Sequence, residues 1–170
     1  MKNYIEVLNK IKTCEEIKKI VETLRQENPS VKIVTTNGAF DIMHIGHVRS
    51  LSNAKSFGDI LIVGLNSDSS VKAYKSPLRP IIPQRERAEM LASIGFIDYI
   101  VIFDEPDPRE LLNVIKPNFH VKYRTGYKGI EKDVVERNGG KIIITDDSYG
   151  FSTTDIFNKI KEIIEKEPGN

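Results

Sequence analysis

A single cysteine, Cys14, stands among 170 residues, which excludes an intramolecular disulfide and a cysteine-based metal site. Charge of one sign is missing too. The 25 basic residues against 24 acidic ones leave a formal net charge of +1, whereas a nucleic-acid footprint needs clustered Lys and Arg, so any basic site must be local. No apolar run approaches the length of a membrane span, and residues 1–28 are laced with Lys and Glu where a signal peptide would be apolar. The expectation is a cytoplasmic protein with neither a membrane nor a nucleic acid as partner. There is no internal repeat and no low-complexity segment. A composition of 39% hydrophobic and 29% charged residues suits one globular domain over 1–170: a leading helical segment at 1–30, then an α/β core and C-terminal helix at 31–166.

Histidine is scarce as well, and two of the three sit together in Thr36-Asn37-Gly38-Ala39-Phe40-Asp41-Ile42-Met43-His44-Ile45-Gly46-His47. This stretch follows the apolar run Val31, Ile33, Val34 and leads into a helical pattern, so it reads as strand, turn, helix. The spacing puts His44 and His47 on one helical face. Gly46 removes a side chain where a ligand could approach, and the first N–H groups of the new helix would point, unpaired, at an anion. A phosphate site follows.

Elsewhere, Thr13-Cys14-Glu15-Glu16 reads as a capping box opening an amphipathic helix that Asn28-Pro29 stops. Apolar runs at 31–36, 60–65, 99–103, 118–122 and 141–145 read as buried strands. Between them lie helical patterns: Val48, Leu51, Ala54 inward in one, and Met90, Leu91, Ile94 inward in another that opens near Pro83. A short helix follows Asp107-Pro108, and a final one starts at Ser152 with Ile156, Phe157, Ile160, Ile163 and Ile164 as its inward stripe. This alternation gives an α/β fold, a doubly wound, Rossmann-like parallel sheet of about five strands with helices on both faces. Its ligands gather at the carboxyl ends of the strands.

Two further groups fall at those ends. Asn66-Ser67-Asp68 leads into Lys72, Lys75, Arg79-Pro80 and Arg87, cations able to close over the same strand ends in a loop at 72–79 that should be mobile without ligand. Before the last helix, Ser152-Thr153-Thr154 offers hydroxyls and free N–H groups to outer phosphates, although Ser152 with Asp155 is also adequate as a helix cap. A serine-hydrolase reading fails for want of a nucleophile elbow. Zinc on His44, His47 and Asp41 lacks a further ligand and would sit among basic neighbours, so no metal site is expected in the protein itself.

Asn37-Gly38, Phe40-Asp41 and His44-x-Gly46-His47 together resemble the signature of the cytidylyltransferase-like nucleotidyltransferases. With Asn66-Ser67-Asp68, Lys72, Lys75, Arg79-Pro80, Arg87 and Ser152-Thr153-Thr154, the chain is most similar to heptose 1-phosphate adenylyltransferases, over nearly its whole length. The resemblance implies His44, His47 and Lys75 as catalytic residues that stabilise the reacting phosphate. It implies Asn37, Gly38, Phe40, Gly46, Lys72, Arg87, Ser152, Thr153 and Thr154 at the nucleotide. The partners are a nucleoside triphosphate, ATP favoured, carried with Mg²⁺, and a sugar or polyol phosphate. A homodimer is a possible assembly. The family's Gly-Gly-Asp-Tyr run is replaced here by Tyr123-Arg124-Thr125-Gly126-Tyr127 after Val121-Lys122. Asp41, Lys122 and Tyr127 are therefore the candidates for the acceptor. CTP with glycerol phosphate is the alternative chemistry, and a non-catalytic nucleotide-binding module the alternative of another class.

Overall fold

The computed structural model describes residues 4–146 and 153–167. Six parallel strands form one sheet in the order β1-β4-β3-β2-β5-β6: β1 (Ile11–Lys12), β2 (Ile33–Gly38), β3 (Ile60–Asn66), β4 (Tyr99–Phe103), β5 (Phe119–Tyr123) and β6 (Lys141–Thr145). The sixth strand is the short β1 at the edge, where the sequence pattern had suggested helix. The leading segment is consequently broken into α1 (Tyr4–Leu8), β1 and α2 (Cys14–Glu27). Two residues suffice because β4 accepts them in register, Ile11 opposite Ile100 and Lys12 opposite Val101.

The capping box at α2 forms as read: Thr13 Oγ1 accepts from the Glu16 N–H at 3.2 Å, and the Glu16 carboxylate accepts from the Thr13 N–H at 2.8 Å. Ile17 and Val21 on this helix bury against Ile33, Ile62 and Val101 on one face of the sheet and against Ile115 of α6 (Arg109–Ile115) alongside. The other face carries Val34, Leu61 and Val63 against Leu51 and Ala54 of α3 (Ile45–Lys55) and Leu91 of α5 (Gln84–Ala92). Alternation along β3 thus feeds two cores, as a doubly covered strand requires. Each fully buried Leu or Ile contributes roughly 1.5–3 kcal/mol relative to exposure.

Three expectations change. Met90 is 54% exposed, because α5 turns Arg87, Ala88, Leu91 and Ala92 inward and so places Met90 on the far side. The segment after Asn66 is not a loop until Lys75: α4 (Asp68–Tyr74) opens on Ser67, whose hydroxyl accepts from the Ser70 N–H, and buries Val71. The stripe on α8 (Thr153–Lys166) does not face a core, since no residue of that helix is buried and Ile160, Ile163 and Ile164 are exposed.

Strand order fixes where a ligand can enter. From β2 the chain moves outward to β3 and then β4, and after α6 it returns to the opposite side of β2 to form β5. The order reverses between β2 and β5, which leaves a crevice at their carboxyl ends. There β5 continues into a short 3₁₀ turn (Arg124–Gly126) and α7 (Lys132–Arg137).

Candidate active site

The sequence signature straddles that crevice. β2 runs on through Asn37 and Gly38, so half of the expected turn is strand. Phe40 follows with φ 45°, a left-handed backbone that an aromatic residue adopts only when its surroundings enforce it. A Cβ on Gly38 would meet the Phe40 ring at 3.1 Å, so a glycine is what lets the ring lie there. The ring is buried in the core and stands edge-on to His47, centroids 5.6 Å apart. Phe40 therefore acts on the site through His47 and offers little free face to a base.

α3 begins in an unusual way. His44 is its N-cap, and its Nδ1 accepts from the Gly46 N–H at 3.1 Å. The Nδ1 of His47 in turn accepts from the His44 N–H at 3.3 Å. This is a capping box built from two imidazoles, whose ring centroids lie 4.0 Å apart. The N–H groups of His44 and Gly46, expected to be unpaired, are therefore already bonded within the helix start, and it is the histidine rings that present donors. An Nδ1 that accepts a hydrogen bond carries no proton, so the neutral form of each ring has its proton on Nε2. Burial, then the neighbouring His44 and Lys75, push the His47 pKa down to about 4. Burial lowers His44 as well, partly opposed by Asp155. Both rings are neutral Nε2–H donors near pH 7.

The cations divide into two kinds. Lys75 closes α4, and burial, then Arg79, hold its ammonium below the ordinary lysine range; its effect on His47 places it beside the pair. Lys72 is exposed on α4. Arg87, expected at the nucleotide, is instead locked in the frame. Its side chain is fully buried and donates to the carbonyls of Ile82 (2.8 Å), Asn66 (2.9 Å) and Ala39, and its Nη2 lies 2.7 Å from the Asp68 carboxylate. It ties the ends of β2 and β3 to the entry of α5. Asp41, expected at the acceptor, is likewise occupied: one carboxylate oxygen accepts from the Ile81 and Ile82 N–H groups at 2.9 and 3.0 Å, and the other lies 2.7 Å from Arg79 Nε. Arg79, whose peptide to Pro80 is cis, also stacks over the Phe157 ring of α8 at 4.5 Å. The residue pins the 79–82 segment over the signature.

Across the crevice, Lys122 Nζ donates to Asn37 Oδ1 at 3.0 Å and lies 3.1 Å from Glu131 Oε1. Asn37 and Lys122 are thus brought together. Glu131 was not anticipated; within Ile130-Glu131-Lys132-Asp133 it looks like any surface carboxylate, and only its 3% exposure marks it. Tyr127 is half-buried after the 3₁₀ turn, while Arg124 is exposed and pairs with Asp146 at 2.7 Å. Thr153 and Thr154 occupy the first turn of α8, and the influence of Asp155 on His44 sets that turn near the histidines; Ser152 lies outside the described residues. Among the described residues no group of three or more His, Cys, Asp or Glu could hold a metal ion, and no helix is long and apolar enough to cross a membrane.

Known proteins resemble this chain in sequence and in fold. The bifunctional protein HldE of Aliarcobacter butzleri is 49% identical over 162 residues, 94% of this chain and 32% of that protein. Its namesakes from Geobacter metallireducens and Syntrophotalea carbinolica are 45% and 40% identical, over 89% and 95% of this chain. The chain spans about a third of the length of these curated relatives. Among solved structures, a lipopolysaccharide core biosynthesis protein from Thermoplasma volcanium shares the fold with a TM-score of 0.59 at 23% identity, covering 69% of this chain and 96% of that one. A pantoate-beta-alanine ligase from Francisella tularensis does so with a TM-score of 0.56 at 17% identity, covering 91% and 78%. The cytidylyltransferase-like family model matches residues 35–166, from the middle of β2 to the end of α8, and the chain belongs to that family of nucleotidyltransferases.

Proposed function

We propose that this chain transfers the adenylyl group of ATP to a sugar phosphate such as heptose 1-phosphate and releases pyrophosphate. The observation that carries this reading is the pair of neutral Nε2–H donors at the start of α3, fixed by their own backbone bonds beside the switch crevice. An oxygen of the acceptor phosphate attacks the α-phosphorus in line. The bond from that phosphorus to the bridging oxygen breaks, and pyrophosphate carries the electron pair away. His44 and His47 donate to the α-phosphoryl oxygens, whose charge grows in the transition state, and cost no reorganisation because the backbone already aims them. Lys75 adds positive charge, Lys72 and the Thr153-Thr154 turn face the outer phosphates, and Lys122 with Tyr127 lies where the acceptor must approach. Mg²⁺ carried with the triphosphate would neutralise charge on the leaving group. ATP is favoured over CTP because Asp146-Asp147 stands where glycerol-phosphate cytidylyltransferases resemble one another in carrying an arginine, and Asp146 here pairs with Arg124. The test is pyrophosphate release with ATP or CTP against heptose 1-phosphate, other sugar phosphates and glycerol phosphate. Turnover with ATP and a sugar phosphate is expected; preference for CTP with glycerol phosphate would replace the substrates, and no release with any pair would refute the activity.

A further inference from the structure

The Lys122–Glu131 pair is built in a way that a simple structural ion pair does not require. Lys122 is 13% exposed and Glu131 4% at the side chain, so both charges have left bulk water. Such burial is favourable only when the remaining polar valences are also satisfied. Here they are not. An ammonium has three donors, and Lys122 meets two partners, Asn37 and Glu131. Glu131 Oε2 is buried with no hydrogen-bond partner at all. A buried acceptor left so costs about 1–3 kcal/mol. A buried acceptor without a partner therefore stands on the carboxylate paired with Lys122, whose ammonium is bonded to Asn37 at the carboxyl end of β2, where the strand order reverses.

We propose that Glu131, together with Lys122, reads adjacent hydroxyl groups of a sugar: Lys122 donates to one oxygen, and Glu131 Oε2 accepts the O–H of its neighbour. This rests on the nucleotidyl-transfer reading above. A diol fits because it offers an acceptor oxygen to the ammonium and an O–H donor to the carboxylate, which can only accept. A phosphate alone would satisfy Lys122 and be repelled by Glu131. Two sugars of this chemistry meet at the site, the ribose of the nucleotide and the acceptor sugar. Glu131 is thus a specificity-determining residue, and the buried pair is expected to disfavour a deoxygenated substrate.

The experiment compares the native chain with E131Q, E131M and the K122M/E131M double variant. kcat/KM is measured with ATP against 2′,3′-dideoxy-ATP, and with heptose 1-phosphate against its 2-deoxy analogue. The native chain is expected to discriminate against one of the two deoxygenated compounds by about tenfold to a hundredfold, the range of a lost hydrogen bond to a charged group. Both single variants flatten that ratio towards one, and the compound affected tells whether ribose or acceptor is read. Unchanged ratios in E131Q and E131M would overturn the proposal. Thermal unfolding guards against misfolding: if the pair is only structural, the double variant recovers stability and discrimination together, whereas a reading pair recovers stability alone. Should the native chain release no pyrophosphate with any substrate, the transfer reading fails, and the same four compounds measured by calorimetric binding still decide Glu131.

Discussion

Replacing His47 separates a catalytic histidine from a structural one, because the structure assigns its two nitrogens to different tasks. Nδ1 caps the helix by accepting from the His44 N–H, while Nε2 carries the donor proton. His47→Ala loses both. The lost cap costs typically about 1 kcal/mol, and the edge contact with Phe40 about 0.5–1.5 kcal/mol more. At about 2–4 °C per kcal/mol for a chain of this size, Tm should fall by roughly 4–8 °C. Removing a preorganised donor to a charged transition state costs about 10²–10³ in rate. With a stability of about 5–15 kcal/mol, a loss of roughly 2 leaves nearly all molecules folded, so destabilisation cannot account for such a drop. His47→Asn sharpens the contrast: its short side chain can still accept from the His44 N–H but lacks the ring against Phe40 and does not reach the phosphate, so Tm should recover by about half of the loss while kcat does not. The assays are thermal unfolding, kcat with saturating substrates and equilibrium ATP binding. The reasoning is refuted if Asn restores turnover, or if ATP affinity falls by the same factor as kcat, since the donor would then act on the bound ground state.

Other outcomes follow from the buried charges. His120 is fully buried, its Nδ1 is 2.8 Å from Thr35 Oγ1, and burial followed by the Lys122 charge push its pKa down to about 3. The unfolded chain binds that proton near pH 6.5 and the folded chain does not, so stability is full above this range and is lost as pH falls, by about 2 kcal/mol at pH 5 from this group alone. Urea midpoints from pH 8 to 5 should therefore depend less on pH in His120→Val than in the native chain, and equal slopes would remove His120 as the cause. Arg87→Met should destabilise by about 3–5 kcal/mol, because it leaves Asp68 and buried carbonyls without their donor; a variant of native urea midpoint that has lost only nucleotide binding would show Arg87 to be a ligand contact after all. In hydrogen exchange, the Ile81 and Ile82 amides should be protected without ligand because Asp41 holds them, and that of Arg79 because it donates to the Ser76 carbonyl, while Ser76 and Leu78 gain protection only with ATP and Mg²⁺. Uniform protection of 76–82 in both states would count against closure of this segment.

Much of the fold was legible because local and long-range preferences agreed. The Thr13–Glu16 box, the apolar run of β3 and the signature's strand-to-helix turn each have one physical solution, and the structure adopts it. β1 was not legible, since nothing in Ile11–Lys12 favours a strand by itself; it exists because the Ile100 N–H of the β4 edge donates to the Lys10 carbonyl at 2.9 Å. Met90 was misplaced for a related reason. A purely apolar periodicity assigns Arg87 to the solvent side, yet Arg87 takes an inward position on α5 and rotates the helix face by its presence. The stripe on α8 has the right spacing for burial, but spacing cannot supply the surface that covers it.

The site shows the same limit in its charges. From sequence, Asp41, Lys75, Arg79 and Arg87 form one group, four ionisable residues after strands that point towards a ligand. What distinguishes them is the number of backbone groups each faces, a property of the folded loop and not of residue type. Arg87 meets three carbonyls and Asp41 two N–H groups, so both serve the protein's own chain. The Lys75 side chain pairs with neither among the described residues, and its pKa is lowered by burial first and by the neighbouring Arg79 second. The two imidazoles are thus held in place by their own backbone bonds before any anion arrives. Burial first, and then His44 and Lys75, lower the His47 pKa, so the ring meets a triphosphate as a neutral N–H donor beside a charged lysine.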